Sequence, residues 1–506
     1  MADKNEFYSF AWGGYGLPPD LKVAVGDVTG NGRPNIVVLN RRGFLIVYEW
    51  RKSYYYPILT VNVGRKFDEI ILADIDGCGV LEIVLGGGSS VIVYSYNNYR
   101  FKLLARENFE GRIFSMAAGD LDGDSVDEIA VSISGNNIQI LEYTNRYLSV
   151  IATLQTVIPS LVGIGDVDGN GIAELVLLQL GSGIGSDEVI VYTLEDYGLK
   201  FLASSKIPVR ASKFLKVLPV DNSGLDKIVV GTNNNRRLLV MEYIGDRIRR
   251  QWQSAGFYAK VVDVASGDWN GDGYLELFVA VGKYVYIYRW NGRTFVEIKK
   301  IDVNQEIDTI AAGDINFDGR DEIVVGTLRG NLVVARDTFK SKSQFLVSES
   351  VTLPKDYPDI IKVAEAKVTD ICVKDKKVIY NKVIISGYFN VTALYVAEPD
   401  RSVRAVDFKV SFVHVVQIPG IVPGDIVLVD IEVEYIEPRF NPARPREIEV
   451  VIIARVIAYD ITIGFNQTLQ EVASEYGVDA DELAEVNDLE LNTLLSTGEK
   501  IKLPPK

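Results

Sequence analysis

The chain has 506 residues, of which 47% are hydrophobic, and its formal net charge is −15. This length predicts more than one domain, and the hydrophobic content is sufficient for well-buried cores. The acidic balance argues against nucleic acids and anionic membranes as partners, because both classes are recognised through basic patches.

A short acidic loop followed by a strand-forming run recurs through the first 340 residues. In its fourth copy, Asp166, Asp168, Asn170 and Glu174 occupy loop positions 1, 3, 5 and 9. Successive copies begin 47, 46, 46, 53, 49 and 46 residues apart. Their first positions are Asp27, Asp74, Asp120, Asp166, Pro219, Asp268 and Asp314. A period of this size holds four short strands, which make one blade of a β-propeller.

The last copy predicts how the array ends. Residues 308–313, 322–326 and 331–335 form three strand-like runs, but no fourth run follows them. A spare run, residues 7–12, precedes the first loop. We predict that this N-terminal strand completes the seventh sheet, because closure of the ring removes unpaired sheet edges.

These copies resemble the FG-GAP repeats of integrin α-subunits and their bacterial relatives, and period, loop and strand order agree over residues 1–340. The resemblance implies a seven-bladed β-propeller with cation loops on one face. The predicted fold class is therefore mainly β. The propeller is followed by an antiparallel β domain and a small β-α-α-β module.

Oxygen-bearing side chains at alternate positions of a tight loop suit a hard cation such as Ca²⁺. Five copies supply the candidate ligands. These are Asp74, Asp76 and Glu82 in loop two; Asp120, Asp122, Asp124 and Glu128 in loop three; Asp166, Asp168, Asn170 and Glu174 in loop four; Asp268, Asn270, Asp272 and Glu276 in loop six; and Asp314, Asn316, Asp318 and Glu322 in loop seven.

The remaining positions weaken the cation hypothesis in three loops. Loop two has Cys78 at position 5, and a thiol is a poor Ca²⁺ ligand. Loop one has Asp27 as its only charged ligand, and loop five has Lys227 at position 9, which would repel a cation. For every loop the alternative is that the Asp and Asn side chains only hold tight turns by bonding their own backbone.

We expect any bound Ca²⁺ to be structural. Rigid extracellular Ca²⁺ modules bind at about 10⁻⁴–10⁻³ M and cytosolic sensors at about 10⁻⁷–10⁻⁵ M, so weak loops would be mostly empty in a cytosol. Residues 1–6 contain no apolar signal segment, and no apolar run reaches transmembrane length. We therefore expect the protein to stay inside the producing cell, unless it is exported by another route.

Few residues are available for catalysis. The only histidine, His414, lies in an apolar run and is interpreted as an ordinary strand residue. No histidine-based nucleophilic or zinc constellation can be assembled, and the spacing of the acidic residues picks out no catalytic pair. Cys78 and Cys372 fall in different predicted domains, which argues against a disulfide framework.

Long Val-rich segments follow the repeat. They predict strands at residues 377–386, 390–396, 406–416, 426–436 and 448–458, with Pro-Gly turns among them. We expect an antiparallel β domain over residues 341–458, for which a sandwich is one arrangement that fits. The region resembles the SPOCS domain of spore-coat-associated proteins in Gram-positive spore formers, which implies assembly of spore envelope layers through protein contacts. The matching segments are 344–349, 378–387, 393–397 and 418–425.

The last segment, residues 459–506, predicts a strand at 461–463, a helix with Leu469 and Ala473 inward, a helix from Asp479 and a closing strand at 498–504. It resembles a LysM module, a family that binds N-acetylglucosamine glycans, chiefly peptidoglycan. The resemblance implies a glycan groove formed by Asn466, Gln467, Thr468, Leu469, Leu491, Asn492, Thr493 and Leu494. LysM modules usually have Gly-Asp where this chain has Asn466-Gln467, so a LysM-shaped module for protein contact is the alternative.

Three functions are compatible with these observations. The first is a non-enzymatic assembly protein of the spore envelope, made in the mother-cell cytoplasm, with envelope proteins and peptidoglycan as partners. The second is a Ca²⁺-dependent adhesin at the cell surface. The third is a carbohydrate-active enzyme with accessory modules, which would need a carboxylate pair at the propeller mouth.

Overall fold

The computed structural model describes residues 8–14, 21–40, 42–51, 54–64, 67–97, 100–158, 160–181, 187–207, 211–233, 235–317, 319–337, 340–379, 382–418, 421, 426–461, 469–470, 473, 479–487 and 489–493. Within these ranges no helix is long and apolar enough to cross a membrane. The described residues divide into two compact units. The first contains the residues up to Asp337 and those from Leu469 onward, and the second contains the described residues between 340 and 461.

The strands of the first unit form seven four-stranded antiparallel sheets, numbered here along the chain. The chain opens with β1 (Tyr8–Gly14). Sheet one contains β2 (Lys22–Gly26), β3 (Asn35–Leu39), β4 (Phe44–Arg51) and β5 (Tyr54–Asn62); sheet two β6 (Glu69–Ala73), β7 (Glu82–Gly87), β8 (Ser90–Asn97) and β9 (Arg100–Asn108); sheet three β10 (Ile113–Gly119), β11 (Glu128–Ile133), β12 (Asn137–Thr144) and β13 (Tyr147–Gln155).

The remaining sheets follow the same plan. Sheet four contains β14 (Ser160–Gly165), β15 (Glu174–Gln179), β16 (Glu188–Glu195) and β17 (Gly198–Lys206); sheet five β18 (Ala211–Pro219), β19 (Asp226–Thr232), β20 (Leu238–Ile244) and β21 (Arg247–Gln253); sheet six β22 (Val261–Gly267), β23 (Glu276–Val281), β24 (Tyr284–Trp290) and β25 (Phe295–Asp302); sheet seven β26 (Ile307–Gly313), β27 (Glu322–Thr327), β28 (Leu332–Asp337) and β1.

The N-terminal strand pairs in sheet seven, as the sequence predicts. Strand β1 pairs with β28 and completes sheet seven, with Tyr8 opposite Asp337 and Gly14 opposite Leu332. In sheets one to six, the first strand contacts the first strand of the following sheet. The first strand of sheet seven, β26, contacts that of sheet one, β2. These seven strands line a central cavity of about 510 Å³. The arrangement is propeller-like, made of seven separate sheets.

Burial explains why the second strands are continuous apolar runs. Every residue of β7, β11 and β23 is buried, because neighbouring sheets pack on both faces. The fourth strands β9 and β17 are outermost and alternate between exposed and more buried residues. The apolar cores lie between consecutive sheets, as with Val93 of sheet two and Val131 of sheet three in one cluster.

The second unit is an antiparallel β-sandwich. Its strands are β29 (Lys340–Thr352), β30 (Ile360–Ile379), β31 (Lys382–Ala397), β32 (Val403–Gln417), β33 (Ile426–Phe440) and β34 (Glu447–Ile461). They form one sheet in the order β29-β34-β33 and another in the order β30-β31-β32. A single core joins the two sheets, with Phe389 and Phe412 from one and Ile452 and Val456 from the other.

The strand limits in this unit differ from the prediction in two places. The predicted strand 377–386 spans the end of β30 and the start of β31, which pair with Ile379 opposite Lys382. The runs that end at Ser386 and begin at Asn390 belong to one strand, β31. The sequence does not reveal β30, because charged residues interrupt its pattern and four register irregularities break its alternation.

The C-terminal segment is described in part. The predicted second helix is present as α1 (Ala480–Asn487), where Leu483 is buried and Asp479 accepts hydrogen bonds from two N–H groups of the first turn. Leu469 and Ala473 are buried. Ile461, predicted to begin a separate strand at 461–463, is the last residue of β34 and lies opposite Ile426. Residues 462–463 and the predicted closing strand lie outside the described residues.

Candidate metal-binding loops

The first carboxylate of the acidic loops holds the turn. In loop four, Asp166 accepts backbone hydrogen bonds from Gly169 at 2.7 Å and Gly171 at 3.0 Å. Asp120 and Asp268 accept the equivalent pairs of bonds in loops three and six. Gly169 and Gly171 have φ values of +83° and +87°, a region that glycine enters without strain. A carboxylate has about four acceptor sites, so this turn-holding role leaves capacity for a cation.

The glutamate at loop position 9 is the first residue of the second strand of its sheet, and its side chain points back to the loop. Glu128 is 1% exposed and Glu174 is 0% exposed. Their Oε2 atoms accept hydrogen bonds from the N–H groups of Leu121 at 2.8 Å and Val167 at 3.0 Å, both at loop position 2. Leu121 and Val167 are themselves buried, so the core fixes the carboxylates in place. In loops two, six and seven the position-2 N–H group donates to the Oε2 atom of the position-9 glutamate in the same way. The N···O distances are 3.1 Å to Glu82, 2.9 Å to Glu276 and 3.0 Å to Glu322.

Loops three and four each bring three carboxylates to one point. Within each set one oxygen per residue lies within 4.8 Å of the others; the sets are Asp120, Asp122 and Glu128, and Asp166, Asp168 and Glu174. The Oε1 atoms of Glu128 and Glu174 are buried and have no hydrogen-bond partner in the described part of the chain. Burial, with the nearby aspartates, raises the pKa of Glu128 to about 8 and that of Glu174 to about 7. A cation would lower the cost of ionising these buried groups.

The position-5 residues of these two loops have a second role. Asp124 Oδ1 accepts the N–H of Val126 at 2.8 Å, and Asn170 Oδ1 accepts the N–H of Ile172 at 2.7 Å. Both side chains therefore shape the turn two residues ahead, as the turn-holding alternative expects.

Loop two gathers Asp74, Asp76 and Cys78, with one ligand atom of each within 4.8 Å of the others. Glu82 is 2% exposed, and burial, with Asp76, raises its pKa to about 8. Burial also raises the pKa of the Cys78 thiol to about 11. The thiol therefore stays protonated at neutral pH, which makes it a weak ligand because thiolates are the metal-binding form.

Loop five contains an ammonium group among its polar side chains. Lys227 is 1% exposed, and its Nζ donates to Ser223 Oγ at 3.0 Å and lies 3.4 Å from Asp221 Oδ2. Burial raises the pKa of Asp221, but hydrogen bonds from Ser223 and Gln251 and the charge of Lys227 outweigh burial and hold it below its usual value.

Loop six contains a guanidinium group. Arg289 Nη1 lies 2.8 Å from Asp272 Oδ2, and Nε donates to Glu276 Oε1 at 2.6 Å. Nη2 donates to the same Glu276 oxygen. Asp268 holds the turn, and Asn270 donates to Asp272 at 3.3 Å. The four predicted ligands of loop six are thus brought together with an arginine that the sequence analysis does not single out.

Loop seven is described except for Asp318, which lies outside the described residues. Asp314 Oδ2 accepts the N–H of Gly319 at 3.0 Å, as in the other acidic loops. Asn316 Nδ2 donates to Glu322 Oε1. The predicted ligands Asp314, Asn316 and Glu322 therefore share one loop, and two of them are joined directly.

Position 8 carries a link between sheets that the sequence analysis misses. Asp226 of loop five accepts the N–H of Asp166 in loop four at 3.1 Å, and its own N–H donates to Asp166 O at 2.9 Å. Asp127 binds Asp74, and Asp321 binds Asp268, in the same way. The recurrence of Asp at position 8 in loops three, five and seven is the signal that could have revealed this link.

The predicted glycan-binding residues are described in part. Leu469 N–H donates to Thr493 O at 3.2 Å, and Gln470 N–H donates to Leu491 O at 3.0 Å. The structure thus places Leu469 and Gln470 beside the loop of residues 491–493, where the groove is predicted. Asn466, Gln467, Thr468 and Leu494 lie outside the described residues.

Comparisons with known proteins match three segments of the chain. Residues 268–325 match the family model of the FG-GAP-like repeat, residues 359–440 that of the SPOCS domain of SipL, and residues 461–504 that of the LysM domain. A search of curated proteins finds no match.

Among solved structures, two crystal structures of BBS1N in complex with ARL6DN are similar to the chain. The crystal soaked with lead has 12% identity and a TM-score of 0.47, and the alignment covers 65% of this chain and 96% of that one. The crystal soaked with mercury has 11% identity and a TM-score of 0.49, with coverage of 65% and 97%. The family matches give the order of segments: the chain carries an FG-GAP-like repeat, a SPOCS domain and a LysM domain, as the sequence resemblances implied.

Proposed function

We propose that the protein is a non-enzymatic structural protein of the bacterial spore envelope. It is made in the mother-cell cytoplasm and assembles at the boundary between spore coat and cortex. The observation that carries this proposal is the presence of FG-GAP-like, SPOCS and LysM segments in one chain. The SPOCS match supports a sporulation-related protein, and all three are binding modules without catalytic residues of their own.

Each part has a different task in this proposal. The seven sheets form a closed seven-bladed propeller, a rigid platform for protein or ligand. The sandwich docks onto other envelope proteins. The LysM segment binds peptidoglycan or a related N-acetylglucosamine glycan, and contact with a coat protein is the alternative for its groove.

The location is tested with a tagged copy followed by microscopy during sporulation. We expect the signal to leave the mother-cell cytosol and to form a shell around the developing spore. A uniform cytosolic signal throughout sporulation would contradict the proposal. A signal on the outside of growing cells would favour a surface adhesin instead.

The anchor is tested by sedimentation with purified peptidoglycan. The truncation should remove residues 462–506, because Ile461 is still paired with Ile426 in the sandwich. We expect the full chain to sediment and the truncated chain to stay in solution. Equal sedimentation of the two chains would remove the glycan-binding role.

We further propose that loops three and four bind structural Ca²⁺. Two observations on Glu128 and Glu174 support this proposal. Each glutamate has a carboxylate oxygen within 4.8 Å of two aspartate oxygens, and its buried Oε1 has no hydrogen-bond partner in the described part of the chain. Titration calorimetry should extend to about 10 mM Ca²⁺, since rigid modules bind at about 10⁻⁴–10⁻³ M.

The matched variants for this titration exchange glutamate for glutamine. We expect the heat of binding to fall in Glu128→Gln and Glu174→Gln, since an amide nitrogen or a neutral oxygen replaces a charged ligand. Glu195→Gln is the control, because Glu195 is exposed and forms its ion pair with Lys200 within one hairpin, outside the acidic loops. Absence of heat in the unaltered protein would end the calcium proposal.

A further inference from the structure

One position in each sheet lies beside the ninth loop residue and differs in charge from sheet to sheet. It lies on the third strand, directly across the antiparallel ladder from loop position 9. In sheet six the pair is Glu276 and Arg289. In the other sheets the antiparallel register between the second and third strands, continued by one residue, assigns one residue each to this position. In sheets one to five and seven these are Glu49, Ser95, Glu142, Thr193, Glu242 and Arg336.

Loops four and six carry the same number of acidic ligands, three each, but differ in charge at this position. Both have Asp at position 1, a buried Glu at position 9 and acidic or amide groups between them. Opposite Glu174 of loop four stands Thr193, which has no charge, and Glu174 Oε1 has no hydrogen-bond partner in the described residues. Opposite Glu276 stands Arg289, whose guanidinium binds the corresponding oxygen.

The contacts of Arg289 reach two predicted metal ligands at once. It lies 2.8 Å from the position-5 carboxylate of Asp272 and 2.6 Å from the position-9 carboxylate of Glu276. A guanidinium is planar and permanently charged, and it matches carboxylates through several N–H donors. A divalent ion bound to the same two carboxylates would have to displace these bonds or lie beside a fixed positive charge.

We propose that Arg289 is an internal cation of loop six, so that this loop is complete without a divalent ion and does not bind one. Loop five also contains a positive side chain in place of a metal ion, because the Lys227 ammonium lies among Ser223, Asp221 and Glu242. Loops three and four, proposed above to bind Ca²⁺, then differ from loops five and six, which carry their own positive charge.

This inference deepens the proposed Ca²⁺ binding and revises the ligand set predicted for loop six. It is tested by equilibrium dialysis of the full chain against Ca²⁺ up to about 10 mM, with the number of ions bound per chain as the readout. Arg289→Thr installs the residue that sheet four has at the same position. We expect this variant to bind one more Ca²⁺ per chain than the unaltered protein.

The control is Lys283→Thr. Lys283 lies in the turn between β23 and β24, at the end of β23 opposite from loop six, and pairs with Asp302 at 2.7 Å. Its removal also deletes one positive charge, so a general effect of net charge would raise binding equally in both variants. We expect the number of ions bound by Lys283→Thr to be unchanged, and an equal gain in both variants would overturn the proposal.

A second variant keeps the test decisive if Arg289→Thr fails to fold. Asp272→Asn, made in the unaltered protein, should leave the number of bound ions the same, because no ion depends on Asp272 there. Loss of one ion in Asp272→Asn, or no gain in a folded Arg289→Thr, would overturn the proposal. If the unaltered protein binds no Ca²⁺ and Arg289→Thr binds one, the inference holds while the proposed calcium role of loops three and four fails.

Discussion

Tyr8 lies opposite Asp337 on the neighbouring antiparallel strand, so the beginning and the end of the seven-sheet array are joined in one sheet. The pairing continues to Gly14 opposite Leu332, with one irregularity between Phe10 and Trp12. Without β1, the backbone groups of β28 that face it would form an open sheet edge. Such edges pair readily with other chains.

We therefore expect deletion of residues 1–14 to lower the melting temperature of the protein and to promote self-association, measured by light scattering. A synthetic peptide of residues 1–14 added to the truncated chain should reverse both effects, because it restores the fourth strand. A peptide of the same composition in scrambled order is the control. A truncated chain that stays monomeric with an unchanged melting temperature would show that closure contributes little.

The buried ammonium of loop five gives a second prediction. Lys227→Met keeps an unbranched side chain one atom shorter and removes its charge, which leaves Asp221 without its buried counter-ion. Breaking a buried ion pair on one side typically costs about 3–5 kcal/mol. We expect a loss of this size in the free energy of unfolding, measured by denaturation in urea.

Lys200→Met in the neighbouring sheet is the control for that measurement. Its ion pair with Glu195 is exposed, with 60% and 53% of the two side chains accessible. Exposed pairs contribute about 0–1 kcal/mol. Equal effects of the two substitutions would mean that burial of Lys227 does not determine its contribution.

The repeat itself could be predicted from the sequence, because the loop spacing and the composition of the strands are local properties. The position of β1 also followed, since the last copy lacked a strand and the first residues supplied one. The residue on the third strand that lies opposite loop position 9 could not be predicted in the same way. Arg289 is remote from Asp272 in the sequence, and its contact depends on the register between β23 and β24.

The sandwich was harder to predict in detail for a different reason. Strand β30 carries many charged residues on its exposed positions, and its four register irregularities remove the regular alternation that indicates a strand. Strand β31 includes Gly387, which lies between the two predicted strands 377–386 and 390–396. The inter-sheet links of Asp127, Asp226 and Asp321 join different repeats, so no single repeat reveals them.

Gly165 gives a third prediction, which concerns the link between loops four and five. A Cβ at this position would lie 2.4 Å from Asp226 Oδ2 and 2.6 Å from Val217 Cγ1. Gly165→Ala should therefore displace Asp226 from Asp166 and destabilise the protein by about 1–3 kcal/mol, as overpacking does. Thermal unfolding monitored by circular dichroism measures the loss.

Gly198→Ala is the matched control, because its Cβ would meet only Glu195 O at 3.4 Å in the same sheet. A double-mutant cycle with Asp226→Ala identifies the cause. If crowding of Asp226 is responsible, the double variant should lose less stability than the sum of the single variants. Additive losses would place the strain elsewhere, at Val217.

The single histidine of the chain makes a fourth prediction possible. His414 stacks on Phe345, with ring centroids 4.7 Å apart and an interplanar angle of 14°, and shares a hydrogen bond with Ser343. Burial lowers the pKa of His414 below its usual value of 6.5. Below about pH 6.5 the unfolded chain gains a proton at this residue before the folded chain does. The stability that neutral His414 provides is therefore present above pH 6.5 and is lost as pH falls towards its folded pKa.

His414→Gln should remove this part of the pH dependence. We expect the difference in urea midpoint between the unaltered protein and His414→Gln to be constant above pH 7 and to move against the unaltered protein between pH 6.5 and 5. Carboxylates titrate in both proteins, so their contribution cancels in the difference. A difference that stays constant over the whole range would mean that His414 titrates alike in the folded and unfolded chains, and that its stacking on Phe345 does not depend on the neutral ring.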